Sequence, residues 1–195
     1  MKLVITLALL IPFASSLAQT PWTLKKNDDG IRIYTRMVPD SKLKEYKAMV
    51  QIAAPMQSIL NELLEAPKYT GDCISGESYY VTQKGADQHV FYAIKKLPWP
   101  VRDRDVVTLL TVEQLSDNTV KLHIESHPQG VPVQENAIRI QEVKGFWLLE
   151  ERDGITTVTQ QLHIDPEGSL PPLVTNSLLI KGPYKTFSDL QQIGS

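Results

Sequence analysis

The sequence predicts an α+β domain in which a strongly curved antiparallel sheet wraps one long C-terminal helix. Three observations carry this. Strand patterns bounded by turn residues recur from Trp22 to Ile164, and one short amphipathic helix interrupts them after Pro55. After Asp165-Pro-Glu-Gly-Ser-Leu-Pro-Pro172 the spacing of apolar residues changes from two to three and four, the period of a helix. No parallel βαβ unit, internal repeat or linker divides the run, so residues 19–195 read as one domain.

The first eighteen residues differ from the rest. Met1-Lys2 is a short basic start, Leu3 to Phe13 is apolar, and Ser16-Leu17-Ala18 places small residues where signal peptidase needs them. The expectation is a secretory signal peptide, residues 1–18, cut after Ala18, and a periplasmic or secreted protein. Eleven apolar residues, Leu3 to Phe13, are too few to span a hydrocarbon core, which takes about twenty. With 20 Lys+Arg against 22 Asp+Glu, nothing points to a nucleic-acid partner. The single cysteine, Cys73, has no partner for an internal disulfide and reads as a small apolar filler.

Trp22 to Lys26 and Ile31 to Arg36 read as two strands joined across Asn27-Asp-Asp-Gly30, and Lys44 to Ile52 as a third with Tyr46, Ala48, Val50 and Ile52 on one face. Pro55 then opens a helix whose Met56, Ile59, Leu60, Leu63 and Leu64 share one side. Lys68 to Ser75 reads as a loop or a short second helix. Six antiparallel strands follow as a meander: Glu77–Thr82, His89–Lys95, Val106–Val112, Thr119–Ser126, Ala137–Glu150 and Thr156–Ile164. The terminal helix is given Ser169 as N-cap and Pro171 and Pro172 in its first turn, with Leu170, Leu173, Val174, Ser177, Ile180, Tyr184 and Phe187, and Leu190 and Ile193 beyond, on the face that packs on the sheet. Pro183 has no N–H for the carbonyl of Leu179, so a bend near Gly182 is expected. A sheet curved around such a helix leaves an apolar hollow, where small ligands sit.

The residues carry little catalytic signal. There is no Gly-x-Ser-x-Gly elbow, phosphate-binding glycine loop or His-Glu-x-x-His, and neither a metal nor a cofactor is expected. His123 and His127 are four apart on a strand, roughly 13 Å, too far for one ion. His89 and His163 have apolar strand neighbours, and Glu125, Glu150 and Glu151 stand on strands that can bring them together. Arg102-Asp-Arg-Asp105 is more pointed, because alternation puts both arginines on one face and both aspartates on the other. A charge buried there needs a partner, so the expectation is an ion pair bracing the rim of the sheet.

Pro98-Trp-Pro-Val-Arg-Asp-Arg-Asp-Val-Val107 resembles the signature of START domains, the lipid-transfer domains related to the steroidogenic acute regulatory protein. Asp165-Pro-Glu-Gly-Ser-Leu-Pro-Pro172 with Asn176 and Gly182-Pro-Tyr-Lys185 is similar to the family's turn and gripped helix. Gly30 to Arg36 with Tyr46-Lys47 is similar to the paired early strands of bacterial members. The resemblance spans Trp22 to Leu190 and places the chain in the Bet v 1-like helix-grip superfamily.

What it implies is a helix-grip fold holding one lipid in a tunnel, with the terminal helix as lid and Arg104-Asp105 as the family's structural ion pair at the cavity rim. The N-terminal helices that many members place before the first strands have no counterpart in this sequence, which implies a lower part of the cavity that is either more open or smaller. Leu110 falls where some members place a buried arginine, so a more apolar pocket is implied. Alternation and helix facing give Tyr92, Trp99, Leu109, Phe146, Trp147, Leu173, Ser177, Ile180 and Tyr184 as wall candidates. The expected partner is a lipid or other hydrophobic small molecule, with transient membrane contact and a monomeric protein. The alternatives are an enzyme on the same fold, using Tyr92, His89 or His163, and an interaction module docking through the sheet edge or the Lys95-Lys96 loop.

Overall fold

The structure is a computed structural model that describes residues 20–39, 41, 43–65 and 76–194. The leader, Cys73 and the segment from Lys68 to Ser75 lie outside these. Ten strands form one sheet, β1 (Thr23–Asp28), β2 (Ile31–Met37), β3 (Lys44–Ile52), β4 (Gly76–Lys84), β5 (Gln88–Lys95), β6 (Asp103–Ser116), β7 (Thr119–Ser126), β8 (Ala137–Arg139), β9 (Val143–Arg152) and β10 (Ile155–Ile164). Their spatial order is β1-β2-β3-β10-β9-β7-β6-β5-β4. Both halves of the chain therefore meet where β10 pairs with β3, all along Glu45 to Ile52. Asp29-Gly30 and Asp153-Gly154 close their hairpins with φ of 49° and 76°, and 51° and 75°. Two consecutive positive angles match the twist of the flanking strands, and glycine takes the second without strain.

One strand expected from the sequence is two. Ala137 to Glu150 is broken at Ile140–Glu142, and its first piece, β8, runs parallel to the start of β6. The cause is length. β7 is shorter than β6 and its pairing ends at Ser126 opposite Thr108, leaving Asp103 to Asp105 unpaired on that side. β8 fills the gap, with Ile140 N donating to Asp105 O.

One face of the curved sheet bears the helices. α1 (Met56–Leu64) buries Met56, Ile59, Leu60 and Leu63 there. Pro55, its N-cap, offers no side-chain acceptor, so Glu151 Oε2 accepts from Met56 N at 2.8 Å and brings a carboxylate to the positive end of the helix. The terminal helix is α2 (Pro172–Asn176), a π turn (Ser177–Lys181) and α3 (Gly182–Gln191), ended by a 3₁₀ turn (Gln192–Gly194). Its first N–H groups bond to Pro171 O rather than to Ser169, which shifts the expected cap by two residues. The expected disturbance at Pro183 takes the form of the π turn. Widening the turn just before the proline makes room for its ring and spares a hydrogen bond it cannot donate. α3 then buries Pro183, Phe187 and Leu190 on β2 and β3.

Candidate functional site

Strand register divides the sheet's residues between two faces. Phe91, Leu110, Leu122, Ile124 and Trp147 lie on the helix-bearing face, in the same core as Phe187. Val90, Tyr92 and Val107, with Leu109 and Val131 against them, form a separate cluster on the outer face. Three wall candidates are thereby corrected. Tyr92 and Leu109 belong to the outer cluster, and Phe146, paired with His123 and Gln161, points outward beneath Lys121 Nζ at 4.7 Å. Tyr92, Leu109 and Phe146 share one face, the outer one, and the choice of Phe146 together with its neighbour Trp147 set two opposite faces side by side.

Two further candidates are corrected by exposure. Trp99 is 92% exposed in the loop joining β5 to β6, beyond the last rung of the sheet, and Leu173 is 74% exposed in the first turn of α2, before the helix settles on the strands. Trp147, Ile180 and Tyr184 do face the core. Trp147 stacks on Phe187 with centroids 5.5 Å apart, and Ile180 and Tyr184 pack at the cluster's border. The side chain of Ser177 lies outside the described residues. Phe91 was missed as a wall residue although it is one step from Tyr92, and Leu110, expected in the pocket by the resemblance, does lie on the helix-bearing face.

Arg104 and Asp105 do not pair with each other, because neighbouring strand residues leave on opposite faces. Asp105, with no exposed surface, is gripped by Arg139 through Nε at 3.0 Å and Nη2 at 2.8 Å. Arg139 also donates to the carbonyls of Pro128, Val131 and Pro132, tying the β7–β8 loop to the sheet. Arg104 donates instead to Pro166 O at 2.7 Å and Glu167 O at 3.2 Å. It thus anchors the turn that launches α2. Glu167 and Gly168 have positive φ there, and Asp165 Oδ1 accepts from Glu167 N.

The helix-bearing face also carries a buried polar group that sequence reasoning passed over. Tyr46 Oη donates to Gln160 Oε1 at 2.7 Å, both residues being buried, and burial pushes the phenol pKa up. The sequence places Tyr46 on one face with Ala48, Val50 and Ile52, and that face is the helix-bearing one. Register from it reaches Gln160, so the signal was available.

The histidines and acids are dispersed. His123 Nε2 is 2.6 Å from Glu113 Oε2, and Lys84 Nζ donates to His127 Nε2 at 2.9 Å. His89 faces the helix-bearing side opposite Leu110, where burial pulls its pKa down against the nearby Asp87. His163 points outward, 3.9 Å from Glu142. Glu151 caps α1 while Glu125 and Glu150 project from the other face. Among the described residues no group of three or more His, Cys, Asp or Glu is placed to hold a metal ion.

The two ends of the helix-bearing face differ. At the far end, Tyr184 Oη donates to Asp29 Oδ2 at 2.7 Å and Gln191 Nε2 to Asp29 O at 2.9 Å, fastening α3 to the β1–β2 turn. The carboxylates of Asp29 and Asp28 push the Tyr184 pKa up to about 12. At the near end, where Arg104 at the start of β6 holds the turn before α2, the three most exposed large apolar residues among those described sit on the connections: Trp99 before β6, Val133 at 66% before β8, which pairs with the start of β6, and Leu173 in the first turn of α2. Lys96 is paired with Asp103 at 3.1 Å beside them.

Comparison with known proteins gives this geometry a context. The START domain profile matches residues 16–193. An uncharacterized protein of Pseudomonas aeruginosa is 30% identical over 195 residues, covering 98% of this chain and 95% of that one. The crystal structure of a STAR-related lipid transfer protein from Xanthomonas axonopodis superposes with a TM-score of 0.78 at 28% identity, over 88% of this chain and 97% of that one. Human STARD10 shares the fold with a TM-score of 0.71 at 20% identity, over 88% of this chain and 72% of that one.

Proposed function

Because this chain belongs to the START-domain family, we propose that it binds one lipid or similar hydrophobic molecule between the helix-bearing face of its sheet and its terminal helix, and carries it between membranes. The observation that carries this reading is the face itself. A ten-stranded sheet turns Phe91, Leu110, Ile124 and Trp147 toward a helix fastened at one end and interrupted by a π turn in the middle. Lifting a lipid from a bilayer exposes tens of CH₂ groups at about 0.8 kcal/mol each unless an apolar surface receives them. Binding of this kind needs no cofactor and no catalytic group. The similarity to a bacterial STAR-related lipid transfer protein supports the same class of ligand.

Three finer points belong to the proposal. The leader, residues 1–18, sends the protein out of the cytoplasm. The chain acts as a monomer, one ligand to each. The near end, with Trp99, Val133 and Leu173, is the end that touches membranes. Native mass spectrometry of the protein purified without detergent from cells expressing the full chain, followed by organic extraction, tests the central claim. A discrete added mass that extracts as one lipid class is the expected outcome. A bare protein that also takes up no fluorescent lipid would refute it.

A further inference from the structure

The helix-bearing face is apolar over most of its width, and a small polar patch on β2, β3 and β10 is the exception. Tyr46 is 6% exposed, Gln160 7%, and Thr35, 4% exposed, stands directly across from Tyr46. Gln160 lies between Ala48 on one side and Trp147 on the other, so its side chain enters the space between sheet and terminal helix. The π turn is the part of the helix that contacts β3 ahead of α3. Polar residues placed in such a wall call for a chemical reason.

A buried hydroxyl must put its hydrogen somewhere, and that of Tyr46 goes to Gln160 Oε1 at 2.7 Å. This orients the amide. Its oxygen is used by the tyrosine, and both hydrogens of Nε2 are turned away from it. Among the described residues Nε2 has no hydrogen-bond partner. Nor is it sealed in, since the buried side-chain atom cut off from solvent without a partner is His163 Nδ1, on the other face. Open to solvent, Nε2 can give its hydrogens to water, and a hydrophobic molecule that covers this face must either replace that partner or leave the donor unpaired at a cost.

We propose that Gln160 Nε2, oriented by Tyr46, is the anchor for a neutral oxygen acceptor on the bound hydrophobic molecule: an ester or amide carbonyl, or a hydroxyl. The inference rests on the reading that this hollow takes a hydrophobic ligand. Neutrality follows from the surroundings. The cross-strand and same-face neighbours of Gln160, namely Ala48, Trp147, Val158 and Leu162, carry no charge. Of the ionisable residues on this face, Arg104 is held by the Pro166 and Glu167 carbonyls, Glu151 is held by the first turn of α1, and His89 and Lys95 stand on β5, four strands away from β10. A carboxylate or phosphate here would lose its water without gaining a counter-charge, whereas a carbonyl exchanges one hydrogen bond for another.

The test compares four molecules of one chain length, 1-octadecene, methyl oleate, oleyl alcohol and oleate at pH 8, by displacement of a hydrophobic fluorescent probe from the full protein. Wild type is expected to bind methyl oleate and oleyl alcohol roughly fivefold to tenfold more tightly than 1-octadecene, the worth of one hydrogen bond, and to bind oleate more weakly than its ester. Gln160→Leu should bring ester and hydrocarbon within about twofold, because the hydrocarbon no longer covers an unpaired amide and the ester no longer gains a hydrogen bond. Infrared spectra of bound methyl oleate labelled at the carbonyl should show a lower stretching frequency in wild type than in Gln160→Leu. Tyr46→Phe, which keeps the ring and frees the amide to turn, should lower the preference part of the way.

Equal wild-type affinity for ester and hydrocarbon overturns the anchor without any variant being needed. So does a preference that survives Gln160→Leu in a protein that still melts cooperatively. Tight binding of the hydrocarbon with no preference would leave the hollow-binding reading standing and remove only the anchor. Binding of none of the four removes both.

Discussion

Asp105 is the residue whose surroundings are least forgiving. Its carboxylate has no exposed surface, its counter-charge is the two-pronged contact from Arg139, and Arg139 in turn holds three loop carbonyls. Asp105→Asn leaves a guanidinium buried with only dipoles around it, so a loss of about 3–5 kcal/mol in urea unfolding is expected. Replacing both partners together, Asp105→Leu with Arg139→Met, should cost less than the single change, because no orphaned charge remains. A double variant as unstable as Asp105→Asn would mean that the loop, not the charge, sets the cost. The need for a partner at Asp105 was legible in Arg102-Asp-Arg-Asp105. Its identity was not, since Arg139 is brought alongside by a short parallel strand that no local pattern announces. The same limit explains the wall candidates. Period two sorts Phe146 from Trp147 and Tyr92 from Phe91, but only the helix says which set is inward.

At the scale of elements, the terminal helix is where sequence and structure inform each other most. Its extent, its proline-rich start and its disturbance before Pro183 were all readable from residue spacing. The form of the disturbance was not, because a bend and a widened turn both relieve the same clash. The observed π turn divides the helix into a part fastened to the β1–β2 turn through Tyr184 and Gln191 and a part, α2, that carries the exposed Leu173. Pro183→Ala restores a backbone donor and lets the segment tighten toward a continuous α-helix. Transfer of a fluorescent lipid between vesicles should then slow, while stability changes by about 1 kcal/mol or less. Unchanged transfer in that variant would make the π turn a matter of packing alone. Slower transfer together with a large gain in stability would point to general stiffening rather than to a hinge.

Over the whole molecule, apolar exposure is unevenly distributed. Leu24, Leu115 and Ile155 are exposed by 45–50%, on an edge strand or at strand ends, whereas Trp99, Val133 and Leu173 are exposed by 92%, 66% and 74% on the β5–β6 loop, the β7–β8 loop and the first turn of α2. Trp99 was expected from alternation and helix facing to be a wall of the cavity, and it also sits in the motif that resembles the family. A motif gives a position in the chain, and facing depends on where the last rung of the sheet falls. An indole held in water on a short loop between two prolines is suited to the boundary of a bilayer, where its ring is buried and its N–H stays wet. Lys96, beside it, is already paired with Asp103, so the attraction is apolar more than electrostatic. Trp99→Ala should therefore weaken binding to neutral phosphatidylcholine vesicles by about tenfold, in line with an indole only partly withdrawn from water. Adding anionic lipid should change this little, and the lipid found in the protein by native mass spectrometry should stay the same. Vesicle binding that is indifferent to Trp99 but rises steeply with anionic lipid would place the contact on the basic residues of the same loop instead.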